Sequence, residues 1–207
     1  MNMEKKKELL DRTIYSRCSV RLFTGDALEE EALRLILKAG SNAPSAHNQR
    51  PWRFVAIKSK EAKEALTVGM NQRLRQDMEK AGFSPEAIEE KAERSRRTFL
   101  SAGVLLLLFL KRPDRINPLA KSEDTEYLLT VQSVALAGGQ MLLAAHELGL
   151  GACWYAAPLF CRDFLLEYTG LTPEYEAAGL ICVGVPFQEA KKPKERMREP
   201  EEDSIIL

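Results

Sequence analysis

The 207 residues carry 30 Lys+Arg against 30 Asp+Glu, so formal net charge is zero, with 45% hydrophobic and 29% charged residues. That balance argues against a disordered chain and removes the bulk electrostatic drive toward nucleic acid or an anionic membrane. One domain of this length buries roughly 70% of its unfolded surface, and neither an internal repeat nor a composition shift marks a second one. The charged N-terminus has no apolar run behind it, so no export signal is expected. The most apolar stretch, Ala102 to Leu110, is about half of the roughly 20 residues needed to span a bilayer. A cytoplasmic protein is expected, with neither a membrane nor a nucleic acid as partner. The four cysteines (Cys18, Cys153, Cys161 and Cys182) form no CxxC pair and do not cluster with His47 or His146. Reduced thiols and no metal site are therefore expected.

Residues 3 to 13 read as a short charged helix. Asp26 and Glu29 have the spacing of a capping box for a helix with Leu33, Ile36 and Leu37 on one face, closed by Gly40. Ser41 to Pro51, rich in Ser, Asn and Pro, reads as an ordered loop or a new helix start, and Arg53 to Lys58 as a strand. Helical, heavily charged sequence runs from Lys60 to about Arg97, restarting at Ser84-Pro85-Glu86, where Ser caps and Pro suits the first turn. Gly103 to Leu110 is apolar on both faces, as a central strand should be. A loop from Arg112 to Ser122 leads to the longest helix, Asp124 to Leu148, ended by Gly149. Its small residues (Ala135, Ala137, Gly138, Gly139, Ala144, Ala145) predict close approach of another helix. Two more strands, Ala152 to Ala156 and Leu180 to Val185, flank a helix ending at Gly170. The charged tail after Pro186 finishes in Ser204-Ile205-Ile206-Leu207. The pattern gives a single α+β domain.

Four segments carry chemistry. In Arg17-x-Ser19-x-Arg21, residues two apart point to one side of an extended chain, so two cations and a hydroxyl converge as for a phosphate. The same pattern also suits a solvated strand edge. Ala43-Pro44-Ser45-Ala46-His47-Asn48-Gln49-Arg50-Pro51-Trp52 sets hydrogen-bonding side chains between prolines, as a rigid polar platform or as a capped helix start with a buried Trp; His47 alone reads as a surface histidine. Gly149-Leu150-Gly151-Ala152-Cys153-Trp154 begins like a dinucleotide fingerprint. It lacks the third glycine and follows a helix rather than a strand, which excludes a Rossmann site. Cys153 has no neighbouring base and reads as a structural thiol. Lys191 to Pro200 is a locally basic run.

Taken in order, R-x-S-x-R at 17–21, APS-x-x-N-x-x-PW at 43–52, GLG-x-x-W at 149–154, and V-G-x-P at 183–186 followed by a basic tail with Arg198-x-Pro200 resemble the FMN-dependent nitroreductase family over almost the whole chain. Within it, Gly82 to Leu110 and Trp154 to Pro186 are most similar to the nitroreductase-like domain of the ligase that makes the deazaflavin coenzyme, without its ligase domain. The resemblance implies a nitroreductase-like fold, a mixed and mainly antiparallel sheet flanked by helices, in an intertwined homodimer. Residues 1–207 would form one domain whose tail, 187–207, wraps the partner subunit. It implies FMN as cofactor: Arg17 and Ser19 on the phosphate with Arg196 and Arg198, and Arg21 facing the N1/O2 side of the ring. Pro44, Ser45, Ala46 and Asn48 would contact the flavin held by the other subunit, and Tyr155, Ala156 and Ala157 would line the ring near N5. Ala156 and Ala157 stand where certain dehalogenating members carry a hydroxyl, which favours hydride over one-electron chemistry. No catalytic side chain is implied, because the flavin carries the reaction. The expected activity is ping-pong hydride transfer from NAD(P)H to a small electron-poor acceptor such as a nitroaromatic, a quinone or a conjugated metabolite. A lid spanning Thr67 to Ser101 would select the acceptor. Two alternatives share the same site: a specialised enzyme of cofactor biosynthesis, by deazaflavin reduction or flavin fragmentation, and a non-catalytic flavin-binding module.

Overall fold

The computed structural model describes residues 2–112 and 123–188. The expected loop from Arg112 to Ser122 therefore lies, except for Arg112, outside the described residues, as does the tail with Arg196 and Arg198. In chain order the elements are α1 (Met3–Leu10) running into a wide turn (Asp11–Tyr15), α2 (Glu30–Ser41), β1 (Trp52–Ile57), α3 (Lys60–Lys80), α4 (Pro85–Ser101), β2 (Val104–Lys111), α5 (Glu123–Glu147), β3 (Gly151–Tyr155), α6 (Arg162–Thr169) and β4 (Tyr175–Gly184). One-turn helices occupy Ala46–Asn48 and Ala157–Phe160.

The four strands form one sheet in the order β1-β2-β4-β3, every pair antiparallel. A parallel bridge from Ser19 to Ala152 extends it beyond β3 and makes it mixed, as expected. β2 sits inside, with Val104 to Leu110 buried on both faces. Alternation sends Leu105, Leu107 and Phe109 into a core with Leu66, Met70, Phe99 and Leu165 from the α3, α4 and α6 side. Val104, Leu106, Leu108 and Leu110 face the opposite core, with Leu33, Ile36, Val134 and Met141 from α2 and α5. Each fully buried Leu contributes about 1.5–3 kcal/mol, so this strand alone supplies much of the hydrophobic drive. The result is three layers, with helices on both faces of a mainly antiparallel sheet.

Local end signals behave as the sequence predicts at three places. Ser84 accepts a hydrogen bond from Ala87 N–H at the start of α4. Gly149 (φ 73°) and Gly170 (φ 67°) end α5 and α6 in the left-handed region. Two others differ. Asp26 forms no capping box: its carboxylate accepts from the Thr24 hydroxyl at 2.7 Å, and α2 starts after Glu29, which makes no side-chain cap. Gly40 does not end α2 either, since the helix continues through Ser41. A Cβ at Gly40 would collide with the Met141 side chain, so this glycine exists for the approach of α2 to α5. β4 also begins at Tyr175, five residues earlier than expected.

Helix α5 holds the site in place and departs from expectation in two ways. It is long and apolar enough by composition to cross a membrane, which the longest uninterrupted apolar run does not signal, yet one face packs on α2 and the sheet. Its small residues also divide their roles. Gly138 makes room for the Trp154 indole, which fills the space where a Cβ would lie at both Gly138 and Gly179, whereas Gly139 faces open space. The close approach at Gly138 is therefore between helix and sheet.

Candidate functional site

The segment after the wide turn runs along the outer edge of β3. Val20 N–H donates to the Ala152 carbonyl at 3.0 Å, Thr24 N–H to the Val185 carbonyl at 3.0 Å, and Phe187 N–H to the Leu22 carbonyl at 3.1 Å. Gly151 permits this approach, because a Cβ there would lie 2.7 and 2.8 Å from Val20 Cγ1 and Cβ. The G-x-G at the start of β3 thus has a local division of labour: Gly149 turns the chain and Gly151 admits the neighbouring strand.

Arg17 lines a cavity of about 320 Å³ with Ser16, Cys18, Val20, His146 and the Gly149–Ala152 backbone. It also borders a more open cavity of about 760 Å³ along α5, walled by Gln132, Leu136, Gly139, Gln140 and Leu143. Both volumes fall within the range of small-molecule sites. Arg17 makes no ion pair or side-chain hydrogen bond among the described residues. A half-buried arginine with no acidic partner among the described residues, lining one cavity with Gly149 and Gly151 and bordering an apolar trough, is suited to a ligand with an anionic end and a flat apolar body.

Ser19 and Arg21 do not line that smaller cavity. Strict alternation would turn both the same way as Arg17, but the segment meets the sheet only at isolated bridges, through Ser19 and Phe23, and is not a regular strand. Ser19 is half-buried, and Arg21 is exposed and acts electrostatically on Tyr155 at the end of β3. Burial pushes the Tyr155 phenol above its ordinary value, while a hydrogen bond with Thr98 and the Arg21 charge pull the other way. The ring is fixed edge-on against Phe99 at 5.3 Å between centroids. Ala156 and Ala157 follow on the surface.

The loop from Pro44 to Arg50 is built differently. His47 (φ 51°), Asn48 (φ 54°) and Arg50 (φ 50°) are all left-handed without being glycine. Such residues cost on the order of 1–3 kcal/mol each and persist where surrounding bonds over-determine them. Here Arg50 N–H donates to Ser45 Oγ at 3.0 Å, Arg50 Nε to Asn48 Oδ1 at 3.2 Å, and Ala46 N–H to Ser133 Oγ on α5 at 3.1 Å. Pro44 and Asn48 are exposed, and Ser45 and Ala46 half-buried. No hydrogen bond or ion pair among the described residues joins this loop to the Arg17 segment. One chain therefore presents two halves of a polar surface, the loop bonded to α5 at Ser133 and the Arg17 segment bonded to β3 at Ala152.

α5 also presents a stripe at helical spacing: Leu128, Gln132, Ala135 and Leu136 are exposed, with Leu136 at 51%, and Gly139 and Leu143 are half-buried. No cluster of His, Cys, Asp or Glu able to hold a metal occurs among the described residues. Cys153 is buried, in keeping with a structural thiol, and burial pushes the Cys161 thiol up to about 11 and Cys182 well above its ordinary range. Sequence reasoning missed Ser16, Cys18, Gln132, Gln140 and His146 as cavity walls. Only Ser16 and Cys18, flanking Arg17, had a signal within reach.

An antiparallel sheet flanked by helices, with a cationic cavity against the glycine-bordered start of β3, is in keeping with a nitroreductase-type architecture. The chain belongs to the nitroreductase family, whose sequence profile matches residues 14–185. It is similar to the iodotyrosine deiodinase of Thermotoga neapolitana, 31% identical over 185 residues that cover 86% of this chain and 88% of that one. Among solved structures, a BluB-like flavoprotein from Clostridium difficile superposes with a TM-score of 0.75 at 26% identity, covering 100% of this chain and 99% of that one. A Desulfovibrio desulfuricans protein solved in complex with FMN does so with a TM-score of 0.69 at 26% identity, covering 100% and 98%.

Proposed function

We propose that the protein is an FMN-dependent oxidoreductase that transfers hydride from NAD(P)H to a small electron-poor acceptor in two half-reactions at one place. The observation that carries this reading is the Arg17 guanidinium, without an ion pair among the described residues, in a cavity that adjoins an apolar trough. The FMN-bound Desulfovibrio relative, similar over the whole chain, supports it. Bound FMN supplies the chemistry by taking up a hydride at its ring and giving it on.

The protein's own residues bind and orient. Arg17 and Ser19 hold the phosphate by charge-assisted hydrogen bonds, joined by Arg196 and Arg198 from the tail. Arg21 places a positive charge at the N1/O2 side, where negative charge gathers on reduction. Tyr155, Ala156 and Ala157 line the ring edge. Pro44, Ser45, Ala46 and Asn48 serve the site of a second copy, and the absence of any bond between their loop and the Arg17 segment among the described residues is in keeping with that. The α5 stripe and the tail 187–207 form the homodimer contact that brings the two halves together. The cytoplasm is the proposed compartment.

Anaerobic mixing of the FMN-loaded protein with NADH and with NADPH tests this reading. Rapid bleaching of the flavin band by either supports it; no bleaching, with dithionite still effective, contradicts it. The likeness to the BluB-like flavoprotein favours one second reading, a specialised flavin enzyme of cofactor biosynthesis. Under that reading the FMN-loaded protein stays oxidised with both nicotinamides and turns over only with a dedicated partner substrate.

A further inference from the structure

We infer that His146, 130 residues beyond Ser16, is a positioning residue that aims Arg17 into the anion cavity. The inference rests on the proposed flavin site and adds to it a pair that lies outside the 17–21 motif. Helix α1 does not end in an ordinary cap. It widens into the turn Asp11–Tyr15, which Ser16 N–H closes on the Asp11 carbonyl at 2.9 Å. At the end of such a turn carbonyls lack intrahelical donors and need others. The Arg12 carbonyl takes two: the Ser16 hydroxyl and, at 3.0 Å, His146 Nε2. The same nitrogen lies 2.8 Å from Ser16 Oγ. A carbonyl only accepts, so Nε2 carries the proton and donates to both oxygens.

The next residue of α5 completes the clasp. Glu147 pairs with the Arg12 guanidinium and accepts from the Thr13 hydroxyl at 3.1 Å. Two side chains of the turn, Arg12 and Thr13, and that of Ser16 just after it are therefore fastened to the last two residues of α5, and Arg17 follows Ser16 directly. Ser16, Arg17 and His146 all line the one cavity of about 320 Å³. A long side chain with no ion pair among the described residues has rotamer freedom to lose when it binds an anion. Fixing the backbone from which it springs reduces that loss, which is the usual benefit of preorganisation.

A double-mutant cycle on FMN affinity, read by quenching of flavin fluorescence, tests the inference. His146→Ala should raise the FMN dissociation constant by about tenfold. His146→Gln, whose side-chain N–H reaches a comparable position, should recover most of it. In an Arg17→Ala background, His146→Ala should change affinity by less than about twofold, because there is no longer a guanidinium to aim. Should His146→Ala fail to fold, Ser16→Ala replaces it in the cycle with the same expected coupling. Wild-type affinity in His146→Ala, or an equal loss in both backgrounds, overturns the inference while leaving the flavin site intact. A wild-type chain that binds no FMN overturns both.

Discussion

Gly151→Ala isolates the contact on which the Arg17 segment depends. The new methyl would stand 2.7 Å from Val20 Cγ1, 2.8 Å from Cβ and 3.2 Å from Cγ2, so one neighbour must move. β3 is held by a ladder of five residue pairs to β4, whereas Val20 is held to β3 by a single backbone bond to Ala152. One such bond contributes about 0.5–1.5 kcal/mol net, and overpacking costs typically 1–3 kcal/mol. The overpacking therefore exceeds the restraint on the 17–21 segment and not that on the sheet. The segment should peel away while the fold survives. FMN affinity, measured by fluorescence titration, should fall by at least about tenfold, while the unfolding free energy from urea titration changes by no more than roughly 1 kcal/mol. Adding Val20→Ala removes two of the three contacting carbons and should restore part of the affinity. Unchanged FMN binding in Gly151→Ala would refute the reasoning, as would a loss of stability large enough to show the sheet itself giving way.

Three other outcomes follow from the same structure. Gly138→Ala places a methyl where the Trp154 indole lies, so it should destabilise by about 1–3 kcal/mol and shift tryptophan fluorescence; an unaltered spectrum with full stability would contradict the clamp. Because burial raises the Cys161 thiol to about 11 from an ordinary 9.0, the unfolded chain ionises first. That contribution to stability is complete below pH 9 and is lost as pH rises toward 11, by up to about 2–3 kcal/mol, so Cys161→Ala should show a shallower alkaline loss in denaturant titrations. Leu136→Glu, on the exposed stripe of α5, should convert a dimer to a monomer by light scattering and weaken FMN retention; a dimer of unchanged mass would remove α5 from the interface.

Signals confined to a few neighbouring residues were readable in the sequence. Ser84 before Pro85, and Gly149 and Gly170 at helix ends, each answer a local need of the backbone, and the structure uses them so. Asp26 and Gly40 misled because a rival partner won each time: the Thr24 hydroxyl took the Asp26 carboxylate, and Met141, a hundred residues away, determined Gly40. The early part of β4 was hidden by Glu176, a buried carboxylate that looks foreign to a central strand. Its charge is met by Arg112 and Arg162 from the end of β2 and the start of α6, a compensation no local window contains. The site divides in the same manner. Arg17, Ser19 and Arg21 stand out by spacing, but the segment meets the sheet at isolated bridges rather than as a regular strand, and of the three Arg17 alone lines the smaller cavity. The left-handed backbone at His47, Asn48 and Arg50 had no glycine to announce it, and the Ser16–His146 pair joins residues 130 apart in the chain.

The central claim is that this chain grips FMN through Arg17, and one titration bears on it most directly. Purified protein, stripped of any flavin and titrated with FMN, should bind one equivalent per chain, and Arg17→Ala should weaken binding by about 1.5–3 kcal/mol, the scale of a charge-assisted hydrogen bond. A protein that takes up no FMN, or binds it equally well with and without the Arg17 guanidinium, contradicts the account.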